Sequence, residues 1–344
     1  VVVDVGPGSS YVMKLVREML PEHRKNEVAW LRVRNDKDHT VNPFDTQPGC
    51  DQPTEVDRDF MVNVLSTICP NLGPEGDKFC ALVIREAYRR FSRNSPDCRQ
   101  WQSSYDPELH EELVKVGFPL DSTERIRVWD IEDWLFQRGH LELFKRLHRY
   151  AMPRLSDMVA ASQASVIQDQ YGGEDPALTP SGEPMTKVFI RNVTAAQTDY
   201  AIISGFTKFD IGNARAVAID LEEVVGSISS EEGRRRSGLM FLFARRLGAR
   251  NFFLRWQEME PIVPPMYRDY YRAFVESMEE ELKFLEYDEK HYTTGVGGVD
   301  KMIEIDLRVG RKYKMVTMMF SQELADFPSA CVSNCYTCLV MGKG

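Results

Sequence analysis

Two adjacent carboxylates, Asp288 and Glu289, end the segment Phe284-Leu285-Glu286-Tyr287 and run into Lys290-His291. Downstream lie three cations, Arg308, Arg311 and Lys312, and then the polar pair Ser321-Gln322. A strand that delivers an Asp-Glu pair, a basic helix, and a second strand ending in a polar pair are the parts with which a nucleotide-driven motor hydrolyses ATP. In that chemistry Asp288 holds the water shell of Mg²⁺, Glu289 orients the attacking water, and Gln322 senses the γ-phosphate with Ser321 beside it. One of Arg308, Arg311 and Lys312 reaches a neighbouring subunit's γ-phosphate, which requires an oligomer. The sequence contains no Gly-x-x-x-x-Gly-Lys-Ser/Thr phosphate loop, so the cradle such a machine needs is missing from it.

Each of these residues also has a plainer reading. Acidic pairs at strand ends are common, and Lys283 and Glu286 interrupt what should be a continuous apolar run in a central parallel strand. The cations end a helix, where the dipole stabilises positive charge whatever the function. Ser321 could cap a short helix starting at Gln322. Asp288-Glu289-Lys290-His291 matches the Asp-Glu-x-His signature of nucleic-acid helicases, without the other helicase motifs. Gly6-Pro7-Gly8-Ser9-Ser10 follows a buried strand but has no Lys for the phosphates, and Pro7 removes a backbone donor, so it reads as a strand-to-helix turn. Cys331, Cys335 and Cys338 have the spacing of a radical-SAM iron-sulfur cluster. They lie at the end of an apolar segment that reads as a buried strand, and buried free thiols are the preferred reading. The histidines show no zinc spacing. Arg234, Arg235, Arg236, Arg245, Arg246 and Arg250 could line a basic channel, although ordinary salt-bridged exposure on a long helix is the simpler expectation.

The elements that must position these groups follow from the rest of the chain. Its 344 residues can hold two or three domains, and 43% apolar with 28% charged residues is a globular composition. No run of eighteen apolar residues occurs, so no membrane-spanning helix is expected. Val1 to Asp4 lacks the features of a secretory leader. A net charge of -9 argues against a surface coated for nucleic acid. Seven cysteines, an odd number in a core-rich chain, suit free thiols in a reducing cytoplasm.

Val1 to Val5 reads as a buried parallel strand, and a chain that opens inside one is expected to begin part-way along a longer protein. A helix over Tyr11 to Leu20 and a strand over Ala29 to Val33 follow. Helical spacing over Asp57 to Ile68, Asp77 to Phe91, Pro107 to Val116 and Gly139 to Met158 predicts an all-helical block. Gln170 to Pro184 reads as a loop. Strand-helix alternation resumes with a strand over Ala214 to Leu221. A capping box of Ser229 with Glu232 then starts a helix running to about Gln257. The strand ending at Tyr287, a helix over Val299 to Val309, a strand over Met315 to Phe320 and a last strand over Tyr336 to Met341 complete the chain. The expectation is an α/β fold with a mostly parallel sheet covered on both faces, interrupted by an all-helical insertion. Residues 1–48 would form the first part of the sheet domain, 49–170 the insertion, and 171–344 the second part.

Several segments, in order, resemble one family: the conjugation and type IV secretion ATPases, in the branch containing DotO/IcmB and TraU, with TraC more distant. Val3 to Ser10 resembles the strand after the family's phosphate-loop helix, and Val41-Asn42-Pro43-Phe44-Asp45 its Asn-Pro-Phe turn. Thr207 to Arg215 with Ala218-Ile219-Asp220-Leu221 comes next. Asp288 to His291, Arg308 to Lys312, and Ser321-Gln322 with Asp326-Phe327 complete the set. The resemblance implies a RecA-like domain that starts after the phosphate loop. It implies ATP and Mg²⁺ as cofactors, with Asp288 and Glu289 as the metal and water pair, Gln322 as sensor, and Arg308, Arg311 and Lys312 as candidates for contacts in trans. It further implies a cytoplasmic hexameric motor, peripheral at the inner membrane. Its partners would be other secretion ATPases, inner-membrane components and a secreted protein or nucleoprotein. Two alternatives stand beside it: a DNA-pumping, helicase-like translocase, and a non-catalytic ring scaffold.

Overall fold

The computed structural model describes residues 1–344 except 121–124, 174–175, 210, 212–213, 334, 336 and 341–344. The chain forms two compact units. The first comprises residues 1–34, 210–255 and 275–344, and the second residues 35–209 and 256–274. The expected limits at 48/49 and 170/171 both fall inside the second unit.

The first unit is an α/β structure. Strands β1 (Val2–Asp4), β2 (Val28–Arg32), β3 (Ala216–Asp220), β4 (Lys283–Tyr287) and β5 (Met315–Met319) form one five-stranded sheet in the order β2-β3-β1-β4-β5. Every pairing is parallel. Val3 of the central strand pairs with Ile219 on one side and Tyr287 on the other, and all three are fully buried, as the unbroken apolar run Val1-Val2-Val3 demands.

The crossovers explain which faces are covered. From β1 the chain passes through α1 (Gly8–Met19) to β2, and from β4 it passes in the opposite direction through α13 (Gly297–Val309) to β5. Right-handed crossovers running in opposite directions place their helices on opposite faces. Helix α10 (Glu231–Ala249), which follows β3, packs on α13, β1 and β3. Gly248 permits its close approach: a Cβ there would lie 2.5 Å from Val1 and 3.2 Å from Ile219. Along β4 the side chains alternate as the pleat requires, with Lys283, Leu285 and Tyr287 buried and Phe284 exposed. The fold class expected from the sequence, a parallel α/β sheet with helices on both faces, is present and fits the RecA-like class.

The second unit is helical. It contains α2 (Glu55–Ile68), α3 (Gly76–Phe91), α4 (Pro107–Lys115), α5 (Val128–Gln137), α6 (Leu141–His148), α7 (Leu155–Ser162), α8 (Ser165–Tyr171), α9 (Met185–Asp199) and α11 (Trp256–Met259). The first turns of α12 (Arg268–Glu280) also belong to it. Phe79, Phe144, Phe189, Trp129 and Tyr267 fill its core.

Several expectations need correction. The single helix over Gly139 to Met158 is two, α6 and α7, because Pro153 lacks the amide a continuing helix would use. Helix α10 is capped by Ser230, whose side chain accepts from the Gly233 amide, and not by Ser229 with Glu232. It ends at Ala249, followed by a 3₁₀ turn over Arg250–Phe253 and by α11. The expected last strand is not found: Thr337 to Val340 have no regular structure, with Leu339 88% and Val340 85% exposed, while Tyr336 and Met341 lie outside the described residues. Cys331 is buried on α14 (Ser329–Ser333), whereas Cys335 and Cys338 are exposed, so the buried-strand reading of the three thiols fails. No helix is long and apolar enough to cross a membrane among the described residues.

Candidate functional site

The carboxyl ends of parallel strands are where α/β sheets bind ligands. Asp288 and Glu289 stand there, immediately after β4. Their turn is tied on both sides: the Asp288 amide donates to the Val3 carbonyl at 2.8 Å, and the Lys290 amide donates to the Phe320 carbonyl at 2.9 Å. Between these ties Glu289 takes a left-handed conformation, φ 53° and ψ 45°. Glu289 and Lys314 are the non-glycine residues with positive φ among the described residues. An L-residue in this region is costly and persists where the surroundings over-determine it, often at functional sites.

The side chains around the turn are organised in the same way. Asp288 Oδ1 accepts the Glu289 amide at 2.8 Å, and its Oδ2 makes no hydrogen bond among the described residues. Glu289 Oε2 lies 2.9 Å from His291 Nδ1, at ion-pair distance but out of hydrogen-bond alignment. Lys290, fully buried, donates from Nζ to Asp300 Oδ1 of α13 at 2.9 Å and so anchors the turn from below. Glu286, one step back on the half-covered face, has its carboxyl held above the ordinary range, first by burial and then by the charges of Asp288 and Asp4.

Ser321 and Gln322 follow β5 at the same edge. Ser321 Oγ donates to Asp326 Oδ2 at 2.6 Å. The short 3₁₀ turn Leu324–Asp326 is capped by Glu323, so the capping role considered for Ser321 does not occur. Gln322 is exposed. The structure therefore brings Asp288, Glu289, Ser321 and Gln322 to one edge of the sheet.

It does not bring the three cations there. Arg308 ends α13, and Arg311 and Lys312 sit in the 3₁₀ turn Gly310–Tyr313 that precedes β5. That is the amino edge, about 16 Å of strand away from Ser321. Arg308 pairs with Glu304 at 2.5 Å, and Lys312 Nζ lies 5.1 Å from the centre of the Tyr313 ring. Within one chain these cations cannot reach the Asp-Glu pair.

Two further acids, each ending an apolar run and neither predicted as a site residue, stand at the carboxyl edge. Asp4 Oδ2, after β1's valines, accepts from Ser9 Oγ at 2.6 Å and from the Ser9 amide at 3.1 Å. Asp220 Oδ1 accepts the Gly6 amide at 3.1 Å, and Oδ2 the Arg32 Nε at 2.9 Å. The Gly6 to Ser10 segment thus makes the expected strand-to-helix turn; the two carboxylates that hold it were not expected, and Gly8 already belongs to α1.

Two cations of the arginine-rich helix face the core and not solvent. Arg245 is buried and bidentate on the buried Asp306 of α13, at 2.9 and 2.5 Å, and Tyr287 of β4 donates to the same carboxylate at 3.1 Å. Arg246 is buried as well, which overturns the expectation of solvated ion pairs for these two.

No family model matches the chain, and no curated protein matches it. Among solved structures it is similar to "Structure of VirB4 of Thermoanaerobacter pseudethanolicus", at a TM-score of 0.42 and 12% identity, over 94% of this chain and 70% of that one. A likeness of that strength carries no argument about function.

A Mg²⁺ ion bound with a nucleotide usually takes one or two carboxylates and keeps several waters. Asp288, with one oxygen committed to the Glu289 amide and the other uncommitted, fits such a role.

Proposed function

We propose that this chain carries part of the motor domain of a Mg²⁺-dependent ATPase. The observation that carries the reading is the left-handed Glu289, held at the tip of β4 between β1 and β5 and displaying its carboxylate beside Asp288 on the edge where Ser321 and Gln322 emerge. Asp288 would hold the metal through water, Glu289 would orient the attacking water, and Gln322 would hydrogen-bond the γ-phosphate. The bound metal would neutralise charge on the transferring phosphoryl group. The phosphate cradle would be supplied by sequence outside these 344 residues.

The ordered resemblance running from Val3 to Phe327 supports a narrower form of this reading: a cytoplasmic motor, peripheral at the inner membrane, of the type IV secretion and conjugation class, in the DotO/IcmB and TraU branch. Such a motor would act as a hexameric ring beside other secretion ATPases and inner-membrane components, and would drive a protein or nucleoprotein substrate. Arg308, Arg311 and Lys312, remote from their own chain's Asp-Glu pair, would then serve a neighbour's.

The test is ATP turnover by the full-length protein with Mg²⁺. Glu289→Gln is expected to reduce turnover by about a hundredfold or more while nucleotide binding persists. Turnover equal to wild type in that variant removes the basis of the assignment.

A further inference from the structure

The helical unit holds a cleft that the ATPase reading does not use. About 540 Å³ in volume, it is lined by residues of α2, α3, α8 and the segment before α2, including Gln52, Arg58, Lys78, Arg85, Gln170 and Tyr171. None of its lining side chains is acidic, although the whole chain carries 52 acids against 43 lysines and arginines. Elsewhere the arginines are mostly engaged: Arg89 with Glu86, Arg93 with Asp133, Arg99 with Asp157, Arg146 with Asp106 and Arg191 with Glu183. The guanidinium groups of Arg58 and Arg85 make no ion pair or hydrogen bond among the described residues. They come from two different helices and line one space. A neighbouring cleft of about 710 Å³ shares Gln52, Leu82 and Arg85, and its one carboxylate, Glu86, is already paired with Arg89.

We infer that this cleft binds a small anion bearing two or more phosphoryl groups. Two unengaged guanidinium forks are matched to phosphate oxygens, which they grip bidentately; Lys78 also lines the cleft, but its Nζ is paired with Glu75 at 3.1 Å. Gln52 and Gln170 supply neutral amides for the rest of such a ligand. The Tyr171 ring is held edge-on against Phe79 at 5.1 Å, which gives the cleft a fixed aromatic wall. The volume is that of a small-molecule site. A long polyanion is disfavoured by the net charge of -9, and Tyr171 is the one aromatic face at the surface of the lining, since Tyr88 is buried and bonds the Phe44 carbonyl.

The experiment is calorimetric titration of the protein with inorganic tripolyphosphate, with EDTA present so that no metal-nucleotide site contributes. Saturable binding is expected, weakened about tenfold or more in Arg58→Gln/Arg85→Gln and unchanged in the charge-matched Arg127→Gln/Arg191→Gln. Arg58 and Arg85 are exposed and unpaired, so their double variant should melt at the wild-type temperature, which separates lost binding from lost folding. Absence of saturable binding by the wild type, or equal affinity in the two double variants, overturns the proposal. Tighter binding of citrate overturns the phosphoryl assignment, and tighter binding of a single-stranded oligothymidylate through the same arginines replaces the small ligand with nucleic acid. None of these results depends on ATP turnover.

Discussion

Glu289 and Lys314 share one backbone conformation for different reasons, and the difference is measurable. Both are L-residues near φ 50°. Lys314 lies at the amino edge, closing the turn before β5, while Glu289 lies at the carboxyl edge beside Asp288. Glycine relieves the steric cost of this region, about 1–2 kcal/mol, against an entropic loss of roughly 0.5–1 kcal/mol. Lys314→Gly and Glu289→Gly should each therefore melt at or slightly above the wild-type temperature. Lys314→Gly should keep ATP turnover, and Glu289→Gly should lose it. Strong destabilisation by Glu289→Gly would mean that the carboxylate is a structural brace.

Glu286 offers a pH test at the same scale. Its carboxyl is held above the ordinary range, chiefly by burial and next by Asp288. A raised carboxylate contributes stability that is fully present below its unfolded pKa and lost as pH rises through the folded value. Wild type therefore bears a penalty at neutral pH that Glu286→Gln does not. The variant is expected to melt higher than wild type at pH 7, with the gap closing below about pH 4.3. A gap independent of pH would refute the electrostatic cause.

At the scale of elements, β4 is the part on which the site depends. Arg245 of α10, Asp306 of α13 and Tyr287 of β4 form a buried triad behind the strand. Asp306→Asn leaves the Arg245 charge buried without its partner and should cost about 3–5 kcal/mol, read by denaturant unfolding. The double variant Arg245→Met/Asp306→Leu removes both charges and should be markedly less destabilised than the single one. A double loss equal to the sum of the losses in Arg245→Met and in Asp306→Leu would show that the ion pair is not the source.

The triad also shows where sequence reasoning reaches its limit. Strands β1 and β3 are legible because apolar runs ended by an Asp have few other uses, and the Asp-Glu pair follows β4. Lys283 looked like an interruption in that strand. The structure resolves it, because Nζ donates to the Tyr313 carbonyl at 2.9 Å, a partner distant in sequence. Arg245 and Arg246 read as solvated for the same reason: burial with Asp306 is tertiary information. Helix α5 is not among the predicted helices, although its buried Val128, Trp129, Ile131, Glu132 and Leu135 lie on one face. The left-handed turn at Glu289 carries no local signal, since no glycine marks it.

For the whole molecule, the position of three cations bears on whether the proposed motor would work alone. Arg308, Arg311 and Lys312 stand at the amino edge of the sheet and the Asp-Glu pair at the carboxyl edge. If those cations act in trans, a subunit bearing Arg308→Ala/Arg311→Ala/Lys312→Ala is inactive by itself. Mixed with inactive Glu289→Gln subunits, it should recover turnover at interfaces that combine the intact glutamate of one with the intact cations of the other. No recovery in the mixture, with assembly verified by sedimentation, would rule out the role in trans.

The most direct test of the central claim replaces Mg²⁺ by paramagnetic Mn²⁺ together with ATP in the full-length protein and follows which amide resonances broaden. Broadening is predicted to be strongest at residues 288–290 and 321–322, stronger there than at any residue of the turn 310–314, and to weaken at those positions in Asp288→Asn. Broadening strongest at 310–314, or unchanged at 288–290 in Asp288→Asn, would contradict a metal held by Asp288.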